Sequence, residues 1–212
     1  MIEGHTIEEI QGQHLLYTDL VEGIAENLGE LLDRIETDAA GAGTSPDRRR
    51  QPTTYYGPQS GAGLAIRERQ PMGPMRVGVI GLGTGTLAAY GRPGDYYRFY
   101  EINPMVVELA RTEFTFLKDS PAEVEVALGD ARLSLEREEP QHYDVLAVDA
   151  FSGDSIPVHL LTREAFHLYF RHLKPDGVLA VHVSNKYLEL QPVVRMLADD
   201  MGLGAMTVDT ED

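Results

Sequence analysis

From residue 53 onward the chain alternates short apolar stretches with amphipathic ones, and this alternation limits the fold more than any other feature. Apolar stretches of this length are typical of buried strands, and the stretches between them have helical periodicity. Strands that are apolar on both faces need helices on both sides of their sheet. The sequence therefore predicts an α/β fold with a mostly parallel, doubly wound sheet. The predicted strands are 76–80, 96–102, 123–128, 143–149, 177–183 and 205–208, and the predicted helices are 104–116, 162–173 and 190–201, with another beginning at 87–90.

Two regions precede this pattern. Apolar residues recur at helical spacing between residues 20 and 35, which predicts an amphipathic helix packed on the main domain or on a second copy of the chain. Residues 38–52 combine Gly, Ala, Ser, Pro and Arg, a composition typical of a flexible linker. We therefore expect an N-terminal helical extension at 1–37, a linker at 38–52 and the main domain at 53–212; a short hairpin within 1–18 is the alternative there.

The charge and composition exclude several classes of function. The chain has 34 Asp and Glu against 18 Lys and Arg, a net charge of −16, which argues against binding to nucleic acid or anionic membranes and suits a cationic ligand or plain solubility. The absence of cysteine excludes disulfides and zinc–thiolate sites, and no histidine motif predicts a metal. With no apolar run of roughly 18–20 residues and no basic start typical of a signal peptide, we expect a cytoplasmic protein.

A glycine-rich turn, GLGTGT at 81–86, follows the first predicted strand of the main domain. Its glycines, Gly81, Gly83 and Gly85, allow the backbone to approach a ligand, and a following helix offers free N–H groups. Glu101 ends the next strand, about 20 residues on, where a carboxylate can accept both ribose hydroxyls. The G-x-G-x-G spacing differs from the dinucleotide G-x-G-x-x-G and favours an adenosylmethionine-type nucleoside over NAD. An ordinary strand-end role for Glu101 is the alternative.

Three more carboxylates follow predicted strands. Asp130, followed by Ala131, can accept the exocyclic amine of adenine, cap the next helix, or do both. Asp149 and Asp154 flank a loop after the strand 143–149, at the sheet edge where open α/β sheets bind ligands. A carboxylate there can hold a protonated amine and take its proton. General-base catalysis of this kind typically raises the reaction rate roughly 100- to 10,000-fold. Asp154 can alternatively cap the helix near residue 162.

The end of the strand 177–183 offers further polar groups. Strand alternation puts His182 and Ser184 on the same side, near the predicted pocket. Ser184, Asn185 and Tyr187 can either position a substrate or, for the first two, cap the following helix.

Several of these runs together resemble the catalytic domain of the spermidine synthase (polyamine aminopropyltransferase) family, in particular a bacterial branch often fused to a membrane segment. The similar runs, between Pro52 and Val194, are PTTYYGPQSGAGLAI, VGVIGLGTGTLAAY, YEINP, LGDAR, YDVLAVDAFSGDSIPVHLLTREAF and VHVSNKYLELQPVV. The resemblance implies a Rossmann-like adenosylmethionine-dependent transferase fold, decarboxylated S-adenosylmethionine or S-adenosylmethionine as co-substrate, no metal, a small amine such as putrescine as acceptor, and a homo-oligomer such as a dimer.

The resemblance also implies roles for individual residues. Those for the cofactor are Gly81, Gly83, Thr84 and Gly85 around the nucleoside and sulfonium, Glu101 on the ribose, Asp130 and Ala131 at the adenine, and Gln59 at the closed pocket. Those for the amine are Asp149 and Asp154 as holders and base, with Tyr56 and Tyr187 as substrate contacts.

Three departures from the family pattern keep alternatives open. Thr84 stands where aminopropyltransferases carry Asp, and Val79 stands where methyltransferases carry an acidic residue, so the turn does not choose between the decarboxylated and the full cofactor. The loop from Asp149 to Asp154 is longer than the family's D-S-x-D. No antiparallel strand follows 205–208, which predicts either a fragment or a sheet completed by the N-terminal region or a partner chain.

Three functions therefore remain in order of preference. The first is an aminopropyltransferase, the second a methyltransferase on the same fold, and the third a degenerate domain that binds nucleoside or polyamine without catalysis. A nicotinamide oxidoreductase is disfavoured by the glycine spacing.

Overall fold

The computed structural model describes residues 56–150, 157–184 and 188–208 in full, residues 51–52, and the backbone of 14–19 and 209. The strands are β1 (His14–Asp19), β2 (Arg76–Ile80), β3 (Tyr96–Glu101), β4 (Glu123–Leu128), β5 (Tyr143–Val148), β6 (Leu173–His182) and β7 (Gly204–Asp209). The α-helices are α1 (Gly61–Arg69), α2 (Pro104–Thr112), α3 (Phe116–Asp119), α4 (Ala131–Arg137), α5 (Arg163–His172) and α6 (Gln191–Asp200).

These strands form one sheet in the order β4-β3-β2-β5-β6-β1-β7. Each neighbouring pair is parallel, as the apolar strands and intervening helices predict. The chain moves outward from β2 through β3 to β4, then returns to the other side of β2 to make β5 and β6. The strand order therefore reverses between β2 and β5, which makes this the switch point of the sheet.

The N-terminal strand β1 is built into this sheet. It lies between β6 and β7, with Leu15 in register with Leu179 on one side and Ala205 on the other. The N-terminal region thus contributes an inner strand, while β7 stands at the end of the strand order. The amphipathic helix predicted over residues 20–35 lies outside the described residues.

Helices cover both faces of the sheet and make two apolar cores. On one face, Leu135 of α4, Phe166 of α5 and Val194 of α6 pack with inward-facing residues of β5 and β6. On the other face, Ile66 of α1 and Ala110 of α2 pack with the opposite set from β2, β3 and β5. Burial on both faces accounts for the continuous apolar character of the central strands.

Three differences between the predicted elements and the structure concern helices. The helix predicted from residue 87 is a short 3-10 helix, Thr86–Tyr90, because Gly91, Pro93 and Gly94 follow it and stop its extension. The helix predicted over 104–116 is divided into α2 and α3. The sequence analysis did not predict α1, whose first turn contains Gly61 and Gly63, poor helix formers.

Candidate functional site

The glycine turn passes tightly beside the end of β5. Gly81 has φ of 99°, and a Cβ built there would lie 2.2 Å from the carbonyl oxygen of Asp149. Gly83 has φ of 52°, and among the described residues no atom lies within 4 Å of a Cβ built there. One side of the turn is therefore packed on backbone and the other faces open space. Within the turn the hydroxyl oxygens of Thr84 and Thr86 are 2.7 Å apart.

Glu101, at the end of β3, is buried and its carboxylate fixes the backbone around the turn. Its Oε2 accepts the Leu82 N–H at 3.1 Å, and its Oε1 accepts the Asn103 N–H at 2.8 Å. A carboxylate has about four acceptor positions, so each oxygen retains capacity for a further donor.

Asp130 caps α4 and also binds a histidine. Its Oδ1 accepts the Leu133 N–H at 2.9 Å, as the capping alternative predicts, and its Oδ2 lies 3.0 Å from His159 Nε2. Ala131 is the buried first residue of the helix. Since both carboxylate oxygens already have partners, an adenine amine must share Oδ2 with His159 or use a second lone pair.

A small cleft with a volume of about 20 Å³, partly open to solvent, borders the end of β5. Asp149, directly after β5, is partly buried at this cleft, and its Oδ2 accepts the hydroxyl of Tyr56. Tyr56 is held in turn by Tyr90, whose hydroxyl donates to its carbonyl oxygen at 2.6 Å. The lining consists of Tyr56, Ser60, Ala62, Leu87, Ala147, Val148, Asp149, Ala180, Val181 and His182.

Burial raises the pKa of the Asp149 carboxyl, because an ionised carboxylate loses solvation among apolar walls. The charge of His182 and the hydrogen bond from Tyr56 act in the opposite direction and lower this pKa. A carboxyl of this kind can accept a proton more readily than an exposed aspartate, and it can also hold a cation. Perturbed carboxyls of this type are frequent at functional sites.

The predicted residues fall into two groups around the point between β2 and β5 where the strand order reverses. Glu101 and Asp130 lie at the ends of β3 and β4, whereas Asp149 and Tyr56 lie on the β5 and β6 side. The glycine turn, in contact with Asp149, joins the two groups. Ligands in open α/β sheets bind at such a switch point, beyond the carboxyl ends of the strands.

Four predicted residues provide none of the site contacts described above. Asp154 and Tyr187 lie outside the described residues. Gln59 is exposed, next to Ser60 of the cleft lining, so its predicted role stays a prediction. Gly85, the third glycine, has φ of 83° and packs close to Leu117 rather than facing open space.

Two side chains of the site had no assigned role in the sequence analysis. His159 binds Asp130 across 29 positions of sequence, and no local pattern indicates such a contact. Ser60 caps α1 by accepting the Gly63 N–H at 3.0 Å. A serine before a helix is a usable capping signal, but the two glycines that follow conceal the helix.

The described residues contain no group of three or more His, Cys, Asp or Glu side chains arranged to hold a metal ion. In the same residues, the helices lack the combination of length and hydropathy that a bilayer span requires.

No protein-family model matches the chain. A polyamine aminopropyltransferase from Vibrio vulnificus is 35% identical over 114 residues, 51% of this chain and 38% of that protein. An N-terminal histidine N-methyltransferase from Emericella nidulans is 33% identical over 105 residues, 49% of this chain and 19% of that protein. The matched part therefore spans less than two-fifths of either relative.

Solved structures give the fold. The precorrin-6y C5,15-methyltransferase of Geobacter metallireducens superposes with a TM-score of 0.51 at 18% identity, covering 66% of this chain and 69% of that one. The chain has the Rossmann-like fold of adenosylmethionine-dependent transferases, and half of it is similar in sequence to part of a polyamine aminopropyltransferase.

Proposed function

We propose that this protein is a spermidine synthase-like aminopropyltransferase, which moves an aminopropyl group from decarboxylated S-adenosylmethionine to an amine such as putrescine. The observation that carries the proposal is the position of Asp149. Its carboxylate lies at the switch point of the sheet, accepts the hydroxyl of Tyr56 and borders a cleft with mostly apolar walls. The similarity over half of the chain to a protein named polyamine aminopropyltransferase supports the same reaction.

The donor binds over the glycine turn and the ends of β3 and β4 in this proposal. Glu101 accepts the ribose hydroxyls with the lone pairs left free by its two backbone bonds. Asp130 accepts the adenine amine beside His159. The open side of Gly83 accommodates the nucleoside near the sulfonium, because no atom of the described residues occupies the space that a Cβ would enter.

The acceptor amine binds on the Asp149 side. The carboxylate holds the protonated amine and takes one of its protons, and the neutral nitrogen then attacks the propyl carbon next to the sulfonium. The new C–N bond forms as the C–S bond breaks, and its electron pair stays on sulfur to give neutral methylthioadenosine. The protein contributes alignment of the two substrates and a base, with no covalent intermediate.

Calorimetry tests the donor, and product analysis tests the reaction. We expect tighter binding of the decarboxylated form than of S-adenosylmethionine, and formation of spermidine and methylthioadenosine with putrescine. The variant Asp149→Asn should lower kcat/KM about 100- to 10,000-fold while nucleoside binding is retained. Asp199→Asn, at an exposed position on α6, is the matched control and should leave the rate unchanged. Full activity in Asp149→Asn would contradict the role of this residue.

A methyltransferase is the second candidate, and a specific observation supports it. Thr84 offers no carboxylate to the amine of decarboxylated adenosylmethionine, and its hydroxyl is engaged with Thr86. The similarity to an N-terminal histidine N-methyltransferase covers 49% of the chain. Preference for S-adenosylmethionine in calorimetry, with methyl transfer to an amine, would select this candidate.

The cytoplasmic location, the dimer and the membrane-fused branch of the family stay predictions from sequence. Analytical ultracentrifugation of the whole chain tests the dimer directly.

A further inference from the structure

The sheet places His182 beside Asp149. Strands β5 and β6 are parallel and in register up to Val148 and Val181, the residues directly before this pair. Neighbouring strands lie about 4.8 Å apart, and residues in register on parallel strands point to the same face. Both side chains line the cleft, and His182 is buried there. An imidazole is therefore a neighbour of the carboxyl group at the base of the cleft.

In the described residues, the other elements that line the cleft around Asp149 contribute neutral side chains. The segment before α1 contributes Tyr56, and the first turn of α1 with its cap contributes Ser60 and Ala62. The 3-10 helix after the glycine turn contributes Leu87. Within the described part of the lining, no Lys or Arg is present, and His182 is the one basic side chain.

An isolated carboxyl between such walls would be protonated more easily than in water, because burial disfavours the charged form. Burial does raise the pKa of Asp149, and the charge of His182 is the larger of the two influences that lower it, ahead of the Tyr56 hydrogen bond. The imidazole thus offsets part of the penalty that the cleft imposes on the carboxylate.

We propose that His182 is a positioning residue that acts through Asp149 and keeps this carboxyl ionised, so that it can hold a cationic amine. The role in holding an amine rests on the proposed function. The coupling between the two side chains does not, and it can be measured without any substrate.

The direct test is the titration of the Asp149 carboxyl by ¹³C NMR in protein labelled at aspartate, with its resonance assigned by its loss in Asp149→Asn. We expect His182→Gln to move the midpoint of this titration to higher pH. His167→Gln, a matched change at an exposed position of α5, should leave the midpoint unchanged. An unchanged or lower midpoint in His182→Gln would overturn the proposal.

A second variant and a measurement on the wild type guard against misfolding. His182→Asn is examined in the same way, with thermal melts of both variants. In the wild-type protein, the imidazole ¹⁵N resonances of His182 should show a step at the midpoint of Asp149, and this step should be absent from Asp149→Asn. A wild-type histidine signal without such a step contradicts the coupling.

Kinetics connect the coupling to the reaction. A rise of half a pH unit in the Asp149 midpoint would move the acid limb of kcat/KM for the amine by the same amount, so that the rate at the acid end falls about threefold. The alkaline plateau should change less. If no donor gives product, the proposed function fails while the NMR result still decides on His182; if product forms but the limb does not move, the inference about His182 fails alone.

Discussion

The two sides of the glycine turn give a sharp prediction, because the same substitution should have different consequences at Gly81 and Gly83. Alanine at Gly83 would adopt φ of 52°, within the left-handed region, and its Cβ would have no atom within 4 Å in the part of the chain that the structure describes. The conformation alone costs about 1–2 kcal/mol for an L residue. For a chain of this length, each kcal/mol of lost stability lowers Tm by about 2–4 °C.

Alanine at Gly81 faces a second penalty. Its φ of 99° lies beyond the usual left-handed minimum, and its Cβ would be 2.2 Å from the carbonyl oxygen of Asp149 and 2.8 Å from the carbonyl carbon. Both are backbone atoms, so relief requires a shift of the turn or of the end of β5. Overpacking of this kind costs about 1–3 kcal/mol in addition to the conformational penalty. We therefore expect Gly81→Ala to lower the free energy of unfolding clearly more than Gly83→Ala.

Urea unfolding measures the difference in stability between the two variants, and calorimetry with methylthioadenosine measures their difference in nucleoside binding. Gly83→Ala should stay folded but bind the nucleoside at least tenfold more weakly, a change of about 1.4 kcal/mol, because its methyl group enters the proposed ligand space. Equal stability of the two variants would refute the contact between the turn and Asp149. Undiminished nucleoside binding by Gly83→Ala would refute the assignment of the open side.

Three further predictions concern stability. Because burial raises the pKa of Asp149, its ionised form destabilises the fold above about pH 4. Asp149→Asn should therefore be more stable than the wild type at pH 7, and urea unfolding at pH 3 should show that this gain is lost. Asp130→Ala removes the cap on Leu133 and should cost about 1 kcal/mol, whereas Asp130→Asn, still able to cap, should unfold near the wild-type temperature in calorimetry. Burial lowers the pKa of His172, so the unfolded state binds the proton first and stability should fall as pH drops through about 6.5. Thermal melts over a pH series should show a smaller fall in stability for His172→Gln than for the wild type.

The central strands could be predicted closely because their signal is local. β2 and β4 begin and end at the predicted residues, and β3 and β5 differ by one residue at one end. Apolar runs bounded by Gly, Pro and polar residues carry this information without reference to the rest of the chain. Weaker local signals gave the errors: two glycines conceal α1, and the predicted start of β6 was four residues late because Lys174, Pro175 and Asp176 look like a turn.

The site was predictable only as far as strand ends determine it. Glu101, Asp130 and Asp149 follow predicted strands, so a parallel sheet brings them to one edge. The contacts between elements carry no such local signal. His159 reaches Asp130 from the 3-10 helix Val158–Leu160, and β1 enters the sheet next to the last strand from the other end of the chain.

In the proposed function one edge of the sheet binds two ligands, and the strand order gives a reason for this. At the switch point the connections leave β2 and β5 in opposite directions, so no crossing chain needs to fill the space beyond their ends. The glycine turn occupies the boundary and touches the backbone of Asp149, which fixes the carboxylate relative to the turn. In the proposed reaction the donor lies on the β3 and β4 side and the amine on the β5 and β6 side. Their meeting point is then fixed by backbone packing between Gly81 and Asp149, and alignment of this kind is what a direct displacement requires from a protein.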